Sequence, residues 1–304
     1  MKIGIVGMGW VGSSVAISTL HAGIATELLL HDVREGLAEG EAMDLAHGAS
    51  FYPSADVRAA GSVEELADTD AVVIAAGRGS VPGESRLSLL RDTAAIARNI
   101  GEALRGARGH IVVVTNPVDV LVRVVQEASG LPPERVIGTG TMLDTARLRR
   151  LVGARFGLDA RSVHANVVGE HGDSSVMLFE DARIGGVALR RWPGWVPGDA
   201  DALRTQVRRA AYEIIERKGA TNHAIGLVTA HLLRWMLRGE RRVLTVSRVQ
   251  DGACGFRDVA LSLPTVVGRD GAGRVLEPEL STGERDELER SAAVLAEAWT
   301  RLGA

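Results

Sequence analysis

One histidine of this 304-residue chain sits in the run Val167-Val168-Gly169-Glu170-His171-Gly172-Asp173-Ser174, at the end of an apolar stretch. An imidazole, with an ordinary pKa of ~6.5, both gives and takes a proton near neutral pH. Glycines at 169 and 172 let the backbone turn sharply and let another group approach the ring closely. Taken alone the run also fits a structural loop at a strand end. Its chemistry turns on whether the rest of the chain supplies a cofactor, a carboxylate partner for the ring and a cation for an anionic substrate.

Candidates for all three are present. In the helical stretch 142–150, Asp144 and Arg147 lie three residues apart and share one face, within reach of the same pocket; a plain surface ion pair reads the same way. Asn116 stands at the end of an apolar strand that Pro117 terminates, where open α/β sheets place their ligands. Gly77, Gly79 and Gly83 around Pro82 describe a lid with hinges, and Arg86 stands where that lid becomes a helix. Gly7-x-Gly9-x-x-Gly12 follows the first strand directly and opens the first helix. That pattern supplies a tight turn, a close backbone approach to a pyrophosphate, and amides at a helix N-terminus. Asp32 follows Gly12 at the end of the second strand. A carboxylate there accepts from ribose hydroxyls and repels a 2′-phosphate, which favours NAD over NADP.

The elements that must position these residues alternate. Near-continuous apolar runs at 3–6, 27–30, 71–76 and 111–114 are separated by helical stretches at 11–21 and 87–104, which implies βαβ units around a doubly wound parallel sheet. The pattern changes near Gly138, giving an N-terminal α/β Rossmann domain over 1–138 and a C-terminal α+β catalytic domain over 139–304. In the second half the sequence predicts a strand at 163–168, a hairpin at 181–189 turning on Gly185-Gly186, and a helix interrupted at Gly219. An antiparallel meander over 243–249, 259–263 and 265–268 follows, and a last helix opens with a capping box at Ser281–Glu284.

Composition narrows the function class. The chain is 46% hydrophobic and 24% charged, with a net charge of -3 and a sequence pI near 6.3, so no global field favours nucleic acid or an anionic membrane. Only Lys2 and Lys218 are lysines, so anion sites are expected to be guanidinium sites. The single cysteine, Cys254, suits a reducing compartment. No apolar run approaches ~20 residues, and the first residues already read as a strand. A cytoplasmic protein without a signal peptide, a membrane span or a bound metal is expected.

These motifs in this order resemble the L-lactate/malate dehydrogenase family, and its bacterial lactate enzymes most. They are Gly7-x-Gly9-x-x-Gly12, Pro82-Gly83-Glu84-Ser85-Arg86-Leu87, Thr115-Asn116-Pro117-Val118-Asp119, Leu143-Asp144-x-x-Arg147 and Gly169-Glu170-His171-Gly172-Asp173. Lys218-Gly219-Ala220-Thr221 is similar to the family's segment beside the nicotinamide. The resemblance implies NAD as hydride carrier, with Gly7, Gly9, Gly12, Asp32, Gly77 and Asn116 holding it. It implies His171 as proton donor and acceptor, Asp144 orienting the ring, and Arg147 holding the substrate carboxylate. Arg86 would polarise the carbonyl, Asn116 would orient the substrate oxygen, and Thr221 would neighbour the substrate side chain.

Two departures from the family bear on substrate and site. At the lid position that reads the substrate side chain, lactate enzymes resemble one another in having glutamine and malate enzymes in having arginine; here it is Ser80. Without a cation, a second substrate carboxylate would be buried unpaired, at several kcal/mol, unless Arg78 swings in. Pyruvate with lactate, or a bulkier 2-oxo acid, fits the resemblance better than malate. Thr93 stands where many members have asparagine. Arg149 and His164 match positions that bind fructose 1,6-bisphosphate in activated bacterial enzymes, which implies that effector and a homo-oligomer, tetramer or dimer. Readings from other classes are an NAD-binding protein without turnover and an NAD-dependent glycosidase of this fold, the latter needing a metal.

Overall fold

The computed structural model describes residues 1–79 and 86–303; Ser80, most of the expected lid and the Arg86 side chain lie outside what it describes. The first half runs β1 (Lys2–Val6), α1 (Trp10–His21), β2 (Glu27–His31), α2 (Glu35–His47), β3 (Asp56–Ala59), β4 (Ala71–Ile74), α3 (Arg86–Ala103), β5 (His110–Val113), α4 (Val118–Ser129) and β6 (Val136–Gly138). The second half runs α5 (Met142–Phe156), β7 (Val163–Val168), β8 (Val176–Ile184), β9 (Val187–Ala188), α6 (Gly198–Lys218) and α7 (His223–Arg238). It ends with β10 (Arg242–Asp251), β11 (Arg257–Gly268), β12 (Gly271–Val275) and α8 (Thr282–Leu302).

Six parallel strands in the order β3-β2-β1-β4-β5-β6 form the doubly wound sheet. Strand order reverses between β1 and β4, so the loops leaving their carboxyl ends open a crevice there. β4 and β5 are buried at every residue because helices cover both faces, which explains their unbroken apolar sequences. β3 escapes a reading by hydrophobicity because only half its residues are even partly buried and Asp56 and Arg58 face outward.

The meander does more than the pattern indicates. β10 pairs antiparallel with β6 at Ser247–Gly138, so β10, β11 and β12 extend the parallel sheet to nine strands. The expected break at Pro264 is absent. Pro264 lies within β11 opposite Thr245, beside a register shift at Thr265–Val267 on the β12 side, and such irregularities accommodate a residue without an N–H.

A second sheet, β7-β8-β9, carries the histidine run on its first strand. α5 is stitched to β7 by threonines: Thr141 Oγ1 donates to the Val167 carbonyl at 2.5 Å, and the Val167 N–H donates to Thr145 Oγ1 at 2.9 Å. Leu148 and Val152 of α5 are fully buried with Val163 and Val167 of β7. Helix and strand are therefore held at one register, and whatever projects beyond the end of β7 meets the first turn of α5.

Candidate active site

His171 follows β7 by three residues, on a loop tied to two other elements. Gly169 and Ser262 of β11 exchange backbone hydrogen bonds of 2.9 and 3.0 Å, and the Glu170 N–H donates to Ser291 Oγ of α8 at 2.8 Å. Gly169 takes φ +82°, and a Cβ there would come within 2.6 Å of Ser291 Oγ, so both conformation and space demand glycine. Gly172 serves differently from the expectation. A Cβ on it would meet the Glu170 carboxyl at 2.8 Å, so it makes room for that carboxylate rather than for the imidazole. Glu170 in turn accepts hydrogen bonds from the backbone and hydroxyl of Ser174, closing the loop on itself.

Asp144, in the first turn of α5 and only 6% exposed, meets the ring: its Oδ2 lies 2.5 Å from His171 Nδ1. Arg147 Nη1 donates to the other oxygen, Oδ1, at 2.7 Å. Burial alone would push the Asp144 carboxyl up, but the His171 contact and the two neighbouring cations more than offset it and hold the group below its usual range. Burial alone would push the imidazole down, and the bond to Asp144 reverses the sign, leaving His171 a stronger base than usual. With Nδ1 committed to a carboxylate, Nε2 is the ring nitrogen left to exchange a proton with a ligand. Asp144 is not a surface ion pair with Arg147, as its spacing alone allowed, but the buried centre of an Arg–Asp–His array.

The crevice between β1 and β4 forms a cavity of about 670 Å³, lined by Gly7, Gly9, Asp32, Arg34, Gly77 and Asn99 among others. That is ample for a cofactor site. The three fingerprint glycines do three jobs. Gly7 has φ +94°, and a Cβ would strike the backbone of Ala76 at 2.4 Å. Gly12 would strike the Gly7 carbonyl at 1.9 Å; it packs helix on turn and does not line the cavity. A Cβ on Gly9 would enter open space at the N-cap of α1, on the side where a pyrophosphate would lie against the helix amides. These residues fit a dinucleotide. Gly9→Val should therefore fold with an unchanged melting temperature and bind NADH at least tenfold more weakly (~1.4 kcal/mol); full NADH affinity by fluorescence titration would remove Gly9 from the cofactor site.

Asp32 accepts from the Met8 N–H at 2.8 Å and the Arg34 N–H at 3.0 Å, so it braces the glycine turn as well as facing the cavity. Burial works against its charge, and these backbone donors with the Arg34 side chain hold it below the usual carboxylate range. Its charge is thus secure at any pH where ribose hydroxyls would seek an acceptor. Asn116 lies exposed just beyond β5, with a cis bond to Pro117. Thr221 is half-buried in the short link between α6 and α7. Thr93 is 2% exposed, and its methyl would lie 3.7 Å from a Cβ on Gly77, which makes it a packing residue behind that glycine.

Arg149 reaches from α5 to β7, the strand that carries His164. The Arg149 guanidinium donates from Nε to the Ala165 carbonyl at 2.9 Å and from Nη2 to Asn166 Oδ1 at 3.1 Å, while His164 is exposed on the same strand. Arg183 of β8, not singled out from sequence, lies directly across the ladder from His164. Also missed was the α3 wall of the cofactor cavity, Ile96, Asn99 and Ile100; their i, i+3, i+4 spacing is a signal, though any amphipathic helix shows it. The role of Asp119 was missed altogether. Among the described residues no helix is long and apolar enough to cross a membrane.

Comparison with known proteins covers nearly the whole chain. Residues 1–138 match the model of the lactate/malate dehydrogenase NAD binding domain, and residues 141–302 that of the lactate/malate dehydrogenase alpha/beta C-terminal domain. An L-lactate dehydrogenase of Fervidobacterium nodosum is 43% identical over 305 residues, spanning 97% of this chain and 96% of the relative. One of Geobacillus kaustophilus is 43% identical over 300 residues, spanning 97% and 95%. A crystal structure of a minor L-lactate dehydrogenase from Enterococcus mundtii, in its ligands-bound form, is similar with a TM-score of 0.95 at 36% identity, over 98% of this chain and 97% of that one.

Proposed function

The chain belongs to the lactate/malate dehydrogenase family, and we propose that it is an NAD-dependent L-lactate dehydrogenase that interconverts L-lactate and pyruvate. The observation that carries this reading is the Arg147–Asp144–His171 array around a buried carboxylate. NAD is the cofactor, and it supplies the acceptor or donor of the hydride. His171 takes the hydroxyl proton of lactate, or returns it to the carbonyl oxygen of pyruvate, through Nε2. Asp144 keeps the ring in the tautomer that leaves Nε2 available and stabilises the imidazolium. Arg147 holds the substrate carboxylate as a fork, Arg86 polarises the carbonyl, and Asn116 orients the substrate oxygen. Gly7, Gly9, Asp32 and Gly77 hold NAD within residues 1–138, Gly12 keeps the turn packed on α1, and residues 139–304 bring the proton-transfer groups to it.

The choice of a monocarboxylate rests on Ser80 and on Arg78. Arg78, a lid-flanking cation that could offset a second substrate carboxylate, is bonded to Asp92 of α3 through Nη2 at 2.7 Å and Nε at 3.0 Å. Using it for oxaloacetate would break that pair. The test is NADH oxidation with a panel of pyruvate, oxaloacetate and 2-oxoisocaproate. Pyruvate should be preferred over oxaloacetate by at least a hundredfold in kcat/KM; the reverse order would make the enzyme a malate dehydrogenase, and no turnover with any would leave an NAD-binding protein without this activity.

A second reading concerns control. We infer that Arg149, bonded to β7, and His164 with Arg183 across the β7–β8 ladder could serve one effector site: two copies meeting there in a homo-oligomer, dimer or tetramer, would offer cations for two phosphates. Fructose 1,6-bisphosphate should lower the apparent KM for pyruvate severalfold, and Arg149→Gln should abolish that response while preserving the basal rate. An identical KM with and without the bisphosphate would refute the site.

A further inference from the structure

His171 is contacted by two carboxylates, and the mechanism above uses only one. The second is Asp119, in the first turn of α4, just past the cis Asn116–Pro117 bond. Its Oδ2 accepts the backbone N–H of His171 at 2.7 Å, and the residue is 2% exposed. We propose that Asp119 is a positioning residue for the acid–base step: it fixes the catalytic loop through the His171 backbone and supplies a second negative charge to the imidazole that carries the proton. The proposal rests on the reading of His171 as the proton-transfer group.

Hydrogen bonding alone does not require an aspartate at this position. The buried Ser247 hydroxyl lies beside the Asp119 carboxyl, and a hydrogen bond from it favours the charged form. An asparagine could keep the bond from His171 N–H to its carbonyl and give its amide to Ser247, whose hydroxyl accepts as well as donates. What the acid adds is charge, kept where burial penalises it. Burial pushes the Asp119 carboxyl up to about 6, while the Ser247 hydroxyl, the backbone bond from His171 and the charge of its imidazolium pull the other way. The N-terminus of α4 also favours an anion there. Deprotonation of Asp119 and protonation of His171 therefore assist each other, and the two titrate as a coupled pair. The other charged groups on this pair are Asp144 and Arg147 of α5, which face the imidazole, and Glu170 of the loop, which opposes the Asp119 charge.

The test is Asp119→Asn in the full-length protein. The imidazole resonance of His171, assigned by its loss in His171→Gln, is followed by NMR from pH 4 to 9 without substrate, beside the pH profile of kcat/KM for pyruvate reduction. Removing one nearby charge should lower the His171 midpoint by about one pH unit, a tenfold loss of proton affinity. The kinetic limb should move by the same amount, with the KM for NADH unchanged. An unmoved His171 midpoint overturns the proposal. A shifted midpoint in a protein that reduces no 2-oxo acid would support it while sinking the lactate dehydrogenase reading. Should the variant not fold, the wild-type His171 amide resonance decides, because its hydrogen bond ends on Asp119. It should show an inflection near pH 6, and a flat trace there overturns the proposal.

Discussion

His171→Gln is expected to lower kcat for pyruvate reduction by about a thousandfold or more, while NADH binds within about twofold of its wild-type affinity. General acid–base catalysis contributes roughly a hundred- to ten-thousandfold, and glutamine can hydrogen-bond a carbonyl but cannot donate its proton. The cofactor cavity lies at the β1–β4 crevice, and His171 does not line it. Asp144→Asn should reproduce much of this loss by another route. An asparagine can hold the ring, but it neither enforces the tautomer nor stabilises the imidazolium, and burial then pushes His171 below its usual value. The sign of the pH dependence follows. With Asp144 in place, His171 stays protonated to a pH above its ordinary midpoint, so pyruvate reduction should hold through neutrality and fall on the alkaline side, and lactate oxidation should rise there. A His171→Gln enzyme retaining a tenth of the wild-type kcat would remove the histidine from proton transfer.

Why these residues could be read in advance, and others not, follows from the distance over which each is determined. β7 was expected over 163–168 and spans Val163–Val168, because four of its six residues are buried and a glycine ends it. The Ser281–Glu284 capping box is local chemistry and forms as written. The second job of Glu284, accepting the N–H groups of Phe179 and Glu180, joins residues over a hundred positions apart and leaves no local mark. Asp144 and Arg147 were legible as a shared helical face, but only the threonine stitching of α5 to β7 turns that face toward His171. Asp119 stood in a recognised motif without a role because its partner, the His171 N–H, arrives on a loop from the other half of the chain. Likewise the meander was legible as antiparallel, whereas its junction with the parallel sheet rests on one pairing, Ser247 with Gly138, which hydrophobic alternation does not encode.

Arg147→Lys keeps the charge and should still lower kcat/KM for pyruvate by about a hundred- to thousandfold, almost all of it in KM. Breaking one side of a desolvated charged pair costs on the order of 3–5 kcal/mol. Lysine fails here for a reason visible in the array. Arg147 spends only Nη1 on Asp144, and its remaining N–H groups leave a planar fork for a substrate carboxylate. A lysine has one cationic centre, and Asp144, buried and ionised, would claim it. The substrate carboxylate would then lie beside a neutralised pair with no donor arranged for both oxygens. His171 would keep its bond to Asp144, so kcat at saturating pyruvate should fall by less than about tenfold, and NADH affinity should not change. Equal losses in pyruvate and NADH binding would show that the substitution damages the fold rather than the clamp. A normal KM for pyruvate would place the carboxylate on another cation.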